Sequence, residues 1–362
     1  MRAVQKRFGK TDGVVALHAY QSFREGEVTP EQCHKIGVAL ARKVWGKRFQ
    51  VLVATHMNTD NLHNHFVILT LEENMKNSDV INKILKYHPQ FPDNYAGCDG
   101  YKFGDPNAEC NGIATALVPT VDVIRRTGEL GCNLLVVHEP IFYSTEDYPD
   151  WRAGGKNSVY EEKKALLDKY GITVWRDHDH MHAHNPDSIF TGVIKYLGWE
   201  NYYIPSEKSS IKVPMGYLFE LPETTVKELG QYLEDKLAMN GLRIVGNPED
   251  KIRKVAIVGH LFPGFGTQSE TREYGTDLIN AMEQGLDAII PGEVIEWTVL
   301  SYVRDALALG RKKAVFNIGH FNMEELGMRY AQDWIGDLVD HKVPVHYLPT
   351  KDIYRYIERK HL

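Results

Sequence analysis

Leu134-Leu135-Val136-Val137-His138-Glu139-Pro140 runs from four apolar residues straight into a histidine, a glutamate and a proline. The apolar run predicts a short strand over residues 133–138, and Pro140, which has no N–H to offer a neighbouring strand, stops the ladder there. Outward from this stretch, helical periodicity alternates with short apolar runs. Residues 80–87 and 121–130 read as helices and 112–117 as a strand. The second half repeats the scheme, with strands over 254–259, 288–291 and 314–318 between helices over 276–284, 295–309 and 323–338. Such alternation predicts an α/β fold of two related lobes with mixed sheets, at 75–205 and 251–362. Residues 205–222 are rich in polar and turn-forming types, which predicts a crossing between the lobes, bounded at 206–250.

Open α/β sheets gather their binding groups at the C-terminal ends of strands, and three polar clusters sit at such ends here. His138-Glu139 is the first; alone, it is also what a capped strand end looks like. The second, Asp177-His178-Asp179-His180-Met181-His182-Ala183-His184, sets four histidines at alternate positions. In an extended chain all four imidazoles would point one way. A buried row of unpaired imidazoles is costly to desolvate, and metal ligation removes that cost; exposure on a loop is the alternative. In the third, His320-Phe321-Asn322-Met323-Glu324 follows a strand and enters a helix, so His320 and Glu324 stand one turn apart on one face.

Together these clusters resemble the Nif-three-like dinuclear-metal family, whose members are also called GTP cyclohydrolase I type-two homologues. The likeness runs from about residue 75 to the C-terminus and takes in Gly104-Asp105-Pro106 and residues 216–221. The family pattern is a strand ending His-His-Pro, a His-Thr-Asn-Leu-Asp motif, and a late Gly-His-Tyr followed one turn on by glutamate. Matched position by position, the resemblance implies six ligands for two divalent ions held between the lobes: His138, Glu139, His178, His182, His320 and Glu324. Two depart from the pattern, since Glu139 stands where the family has histidine and His182 where it has aspartate. The exchange leaves the number of carboxylates unchanged. Mixed His/carboxylate ligation suits zinc, manganese or iron. The family also implies a ring-shaped homohexamer.

Two metals about 3.5–4 Å apart lower the pKa of a shared water and clamp an oxyanion. The expectation is therefore a metal-dependent hydrolase that uses a metal-bridging hydroxide on a nucleotide, phosphoester or amide. Glu293 and Glu296 are candidates for a general base or a substrate contact; equally, they are acids favoured in the first turn of a helix. His260, in Gly259-His260-Leu261-Phe262-Pro263-Gly264-Phe265-Gly266, is a third candidate for the same pocket. The rival reading is a non-catalytic metal-binding scaffold or regulator, because ligands specify the metal while loops specify the substrate.

Residues 1–74 have a different character. They carry ten Lys/Arg against seven Asp/Glu in a chain of net charge −6, an asymmetry that points to a separate origin. A small α/β fragment is expected there. Thr29 and Gln32 form a capping box with Pro30 at the first helical position, and strands follow over 49–55 and 63–70. Phe8-Gly9-Lys10-Thr11-Asp12-Gly13, Tyr20-Gln21-Ser22-Phe23 and the trio His56, His63 and His65 resemble a MobA/MobL-type mobilization relaxase over about residues 6–69. That resemblance implies that the three histidines bind a divalent ion. The family's nucleophilic tyrosine lies upstream of the matched stretch and Tyr20 does not take its place, so a vestigial metal site is expected rather than DNA nicking. Leu71-Glu72-Glu73-Asn74-Met75 can be encoded by a ribosome-binding sequence before an ATG, so Met75 is the expected native start of the second protein.

The remaining composition narrows the class. With 43% hydrophobic and 25% charged residues the chain is globular and large enough for two cores. It has no run near the roughly 18 apolar residues that span a membrane and no signal-peptide core, so a cytoplasmic protein with no membrane partner is expected. A small-molecule substrate is expected and nucleic acid is not. Cys33, Cys98, Cys110 and Cys132 show no CxxC pairing, which argues against disulfides and thiolate zinc sites.

Overall fold

The computed structural model describes residues 16–45, 50–69, 75–144, 147, 151, 155–261 and 274–357. The Phe8–Gly13 motif, the join at residues 71–74 and the glycine turn after Leu261 lie outside the described residues. The chain forms two compact units, Met1–Met75 and Lys76–Leu362.

In the first unit, β1 (Ala16–Ser22), α1 (Pro30–Val44), β2 (Gln50–His56) and β3 (His63–Leu69) make an antiparallel sheet in the order β1-β3-β2 with one helix. The capping box is present: the Gln32 N–H donates to Thr29 Oγ1 and the Thr29 N–H to Gln32 Oε1. Ala41 on α1 packs against Phe66 and Ile68 of β3. Strand alternation leaves His63 and His65 on the opposite face.

The second unit opens with α2 (Asn77–Tyr87), β4 (Gly100–Phe103), β5 (Ile113–Ala116), α3 (Val121–Glu129), β6 (Leu134–Val137), α4 (Ser158–Tyr170), β7 (Thr173–Arg176), α5 (Asp179–His182) and α6 (Ser188–Leu197). There follow β8 (Tyr203–Ile204), β9 (Gly216–Thr225), α7 (Val226–Leu237), β10 (Arg243–Val245), β11 (Lys251–Val258), α8 (Tyr274–Glu283) and β12 (Ala288–Ile290). A π-turn at Glu296–Leu300, α9 (Ser301–Ala308), β13 (Ala314–Asn317), α10 (His320–Leu338) and β14 (Val345–Tyr347) complete it. One sheet has the order β14-β5-β6-β7-β4, the other β10-β13-β12-β11-β9-β8. The central strands β5, β6 and β7 run parallel and are wholly buried, as the unbroken apolar sequence of β6 requires; Thr115, Thr173 and Arg176 of its neighbours are buried with it.

Two expectations are corrected. Residues 206–250 are no crossing: β9 pairs antiparallel with β11 and β10 with β13, so most of this stretch belongs to the second sheet. Its polar character has a physical cause, because β9 exposes residues along part of its length. The second lobe likewise does not end the chain, since β14 returns to pair with β5 in the first sheet.

The lobes meet where α6 crosses α10 through two glycines. A Cβ on Gly192 would stand 2.8 Å from Gly327 Cα, and one on Gly327 would stand 2.7 Å from Ile189 Cα. Only hydrogen fits at that crossing. At the start of α10, Gly319 takes a φ of +78°, which lets the chain turn from β13 directly into the helix that carries His320 and Glu324.

Candidate metal centre

His138 leaves the end of β6, and its Nδ1 lies 3.1 Å from the backbone oxygen of Asp177 at the end of β7. A carbonyl only accepts, so Nδ1 carries the proton and Nε2 is left with a lone pair. His182 Nδ1 is 2.7 Å from Asp187 Oδ2, and His178 Nδ1 is 2.8 Å from Asp179 Oδ1. An oxygen on Nδ1 is the arrangement that orients metal-ligating imidazoles. The ligand atoms of the three rings lie within 4.8 Å of one another, with the Nε2 atoms of His138 and His182 3.1 Å apart.

The histidine row is not extended, which corrects the second expectation from the sequence. The Asp99 carboxylate accepts the backbone N–H groups of His178, Asp179 and His180 at 2.6, 3.0 and 2.9 Å, and so starts the single turn α5. Helical spacing then places His178 and His182 on one side. His180 and His184 turn elsewhere: His180 Nδ1 meets Asp99 Oδ2 at 2.6 Å, and His184 Nε2 meets His88 Nδ1 at 2.7 Å. His88 in turn reaches the buried Asp177 carboxylate at 3.0 Å. Sequence reasoning missed Asp99, His88 and Asp187, which are ordinary residues until the fold brings them up.

The other half comes from α10. His320 Nε2 is 2.9 Å from Glu324 Oε2, and that oxygen is 3.4 Å from His138 Nε2, so buried Glu324 spans the two groups. Glu139 Oε1 lies 2.9 Å from His320 Nε2 yet is buried without an aligned hydrogen bond. Its other oxygen is 3.8 Å from Arg176 Nη2, and Arg176 is itself anchored on the His138 carbonyl at 3.0 Å. His260 joins His320 and Glu324 with ligand atoms within 4.8 Å. Its Nδ1 accepts the Glu293 N–H at 3.1 Å. Glu293 Oε1 stands 3.8 Å from His320 Nδ1, on the open side of the site. Glu296 is exposed in the π-turn and joins neither group.

These groups press on one another electrostatically. Burial disfavours charge on His320, but the carboxylates of Glu139 and Glu324 overrule it and push the imidazole up to about 10. Glu324 resists burial in the same way and is held well below its ordinary value by His138 and His320. Burial, with the neighbouring imidazoles His138 and His182, lowers His178; burial and His320 lower His260. A proton on His320 thus supplies the positive charge that this donor set demands. The residues present fit a divalent cation: imidazole and carboxylate ligand atoms converge in two groups, with Glu324 between them and Glu139 beside His320. Cys98, His178 and Asp179 form a further group with ligand atoms within 4.8 Å of one another, in which burial pushes the Cys98 thiol up to about 12.

A second histidine group lies in the first unit. His56 Nδ1 is 3.1 Å from His63 Nε2, and the ring centroids of His56, His63 and His65 are 4.9 Å apart pairwise. His18 on β1, absent from the sequence expectation, meets His65 Nδ1 at 2.8 Å. His65 Nε2 is buried without a hydrogen-bond partner.

A family model described as Duf34/NIF3 (NGG1p interacting factor 3) matches residues 75–352. The chain belongs to the Duf34/NIF3 family. A GTP cyclohydrolase 1 type 2 homolog of Clostridium perfringens is 28% identical over 257 residues, 69% of this chain and 87% of that one. Another, from Clostridium acetobutylicum, is 26% identical over 62% of this chain and 76% of that one. Among solved structures, a Bacillus cereus protein related to NIF3 covers 78% of this chain and 99% of its own at TM-score 0.57 and 16% identity. A Staphylococcus aureus protein does so at TM-score 0.56 and 20% identity, likewise over 78% and 99%. The Duf34/NIF3 fold thus extends over most of the chain. Residues 1–87 match a second model, Relaxase: MobA/VirD2-like, nuclease domain. Protein rlx of Staphylococcus aureus is 45% identical over 71 residues, 20% of this chain and 21% of that relative, so only about a fifth of the relative is represented. Both resemblances seen in the sequence are therefore shown. Among the described residues no helix is long and apolar enough to cross a membrane.

Proposed function

We propose that the Duf34/NIF3 unit is a cytoplasmic metal-dependent hydrolase acting on a small molecule, a nucleotide, phosphoester or amide. The observation that carries this reading is Glu324, buried between His138 on one lobe and His320 on the other, where it completes a three-ligand group with His260 and His320 beside the group of His138, His178 and His182. His138, His178 and His182 would hold one divalent ion, and His320, Glu324 and His260 the other, with Glu139 between Arg176 and the second. Two such ions supply Lewis acidity and an activated water. Glu293, exposed on the open side and close to His320, is the residue placed to accept a proton from that water or to contact substrate. Glu296 has no such place.

The full chain, loaded in turn with zinc, manganese and iron, is expected to retain two ions and to hydrolyse at least one of three panels, nucleotides, phosphoesters and peptides. His138→Ala and Glu324→Ala should each abolish turnover. Two tightly held ions with no turnover on any panel would favour the scaffold reading instead. The homohexamer belongs to the same proposal, and light scattering of the purified chain tests it. For the first unit the reading is narrower: His56, His63 and His65 would bind a divalent ion without nicking DNA.

A further inference from the structure

A cavity of about 650 Å³ opens beside the second half of the centre, with His320 and Glu293 in its wall. Its volume lies within the range of small-molecule sites. Arg243, from β10, and Arg355, from the segment after β14, line the same cavity. Arg243 Nη2 donates to the Asn317 side-chain oxygen at 2.7 Å, which aims the guanidinium from below. Neither arginine is ion-paired among the described residues, in a chain whose net charge is −6. On the far side of Arg355 and Tyr356 a second cavity, of about 790 Å³, adds Lys236, Arg329 and Lys351. The two linings also carry Glu293, Glu325 and Asp352, but Arg243, Arg355, Lys236, Arg329 and Lys351 outnumber them against an acidic background, a balance that draws in an anion.

The same wall carries exposed rings. Tyr354 and Tyr356 are 56% and 45% exposed, yet both are seated. A Cβ on Gly241 would collide with the Tyr356 ring at 2.6 Å, and one on Gly319 would touch the Tyr354 ring at 3.8 Å. Large aromatic faces in a concave site, next to unpaired guanidinium groups, suit a planar ring joined to a phosphate.

We propose that this cavity binds an aromatic phosphomonoester, with Arg243 and Arg355 on the phosphate and Tyr354 on the ring. The proposal rests on reading the adjacent metal groups as the reaction centre, but the binding itself needs no metal. Calorimetry on the chelator-treated full chain tests it with four probes: adenosine 5′-monophosphate, p-nitrophenyl phosphate, adenosine and inorganic phosphate. At least one of the two esters should bind ten-fold or more tighter than adenosine and phosphate, and which one does separates a nucleoside from a simple aryl source. Arg243→Gln and Arg355→Gln should each weaken that ester about ten-fold or more, since charge-assisted hydrogen bonds to phosphate are lost. Arg355→Lys should restore part of the affinity, and melting curves confirm that the variants fold. Esters bound no tighter than adenosine, or indifferent to both substitutions, would overturn the proposal. Binding of an ester by a metal-loaded chain that turns over none of the three panels would overturn the hydrolase reading and leave this one standing.

Discussion

At the scale of the residue, the centre depends on partners that the sequence could not announce. The clusters at 138–139, 178–182 and 320–324 were legible because histidine and carboxylate at strand ends are chemically conspicuous. Their orientation was not, because Asp99, distant in sequence, winds the histidine row into a helical turn and sends His180 and His184 away. Asp187 shows the same dependence. It holds His182 Nδ1 and also caps α6 through the N–H groups of Ile189 and Phe190 at 2.8 and 3.2 Å. Asp187→Asn should keep most of the cap but weaken the hold on His182, lowering zinc affinity by about 10–100-fold in a competition titration. An unchanged affinity would remove His182 from the ligand set. The His320–Glu324 pair makes a second prediction, for metal-free protein. Glu324 lies below its ordinary 4.5, so its contribution to stability is complete above that value and is lost as pH falls through the folded pKa. His320 is raised from 6.5 to about 10, so its contribution is complete below 6.5 and is lost as pH rises through 10. Wild-type minus Glu324→Gln melting temperature should therefore peak between pH 4.5 and 6.5 and decline on both sides. Zinc, by displacing the His320 proton, should remove the alkaline decline.

At the scale of the element, the distance between the two halves is fixed by the crossing of α6 and α10. His320 and Glu324 ride on the first turns of α10, while α6 begins at the cap that holds His182. Gly192 and Gly327 let the helix backbones touch, so any added side chain must push the two ligand sets apart. Gly327→Ala should cost about 1–3 kcal/mol, the usual cost of overpacking, and should lower metal content as well as the unfolding midpoint. A variant that is destabilised but binds both ions with full affinity would show that the crossing does not set the site. The elements themselves were mostly legible, since apolar runs such as Leu134–Val137, short and stopped by Pro140, suit buried strands. Stretches that are polar yet structured were misread: β9 looked like a crossing because part of it faces outward, and β14 is too short for its pattern to reveal that it returns to β5. A helix of only four residues, α5, has no periodicity to read.

At the scale of the whole molecule, the two units differ in how much core supports them. The Duf34/NIF3 unit buries both faces of its central strands and joins its lobes through α10 and β14. Among its described residues the first unit has one helix on one face of three strands, with Ala41, Phe66 and Ile68 as buried apolar contacts. Its other face leaves Leu52 63% exposed and Tyr20 73% exposed beside the histidines. A three-stranded sheet covered on one side lies near the lower limit of independent stability. The chain should therefore unfold in two steps by calorimetry, a weak early one and a cooperative late one. Zinc bound at His138, His182, His320 and Glu324 should raise the late step by mass action, and zinc bound by His56, His63 and His65 should raise only the early one. His63→Ala with His65→Ala is expected to abolish the shift of the early step and leave the late one unaltered, whereas Glu324→Ala should do the reverse. If either substitution removed both shifts, the two histidine groups would have to share one ion-dependent folding unit, and the division at Met75 would not describe how this chain is stabilised.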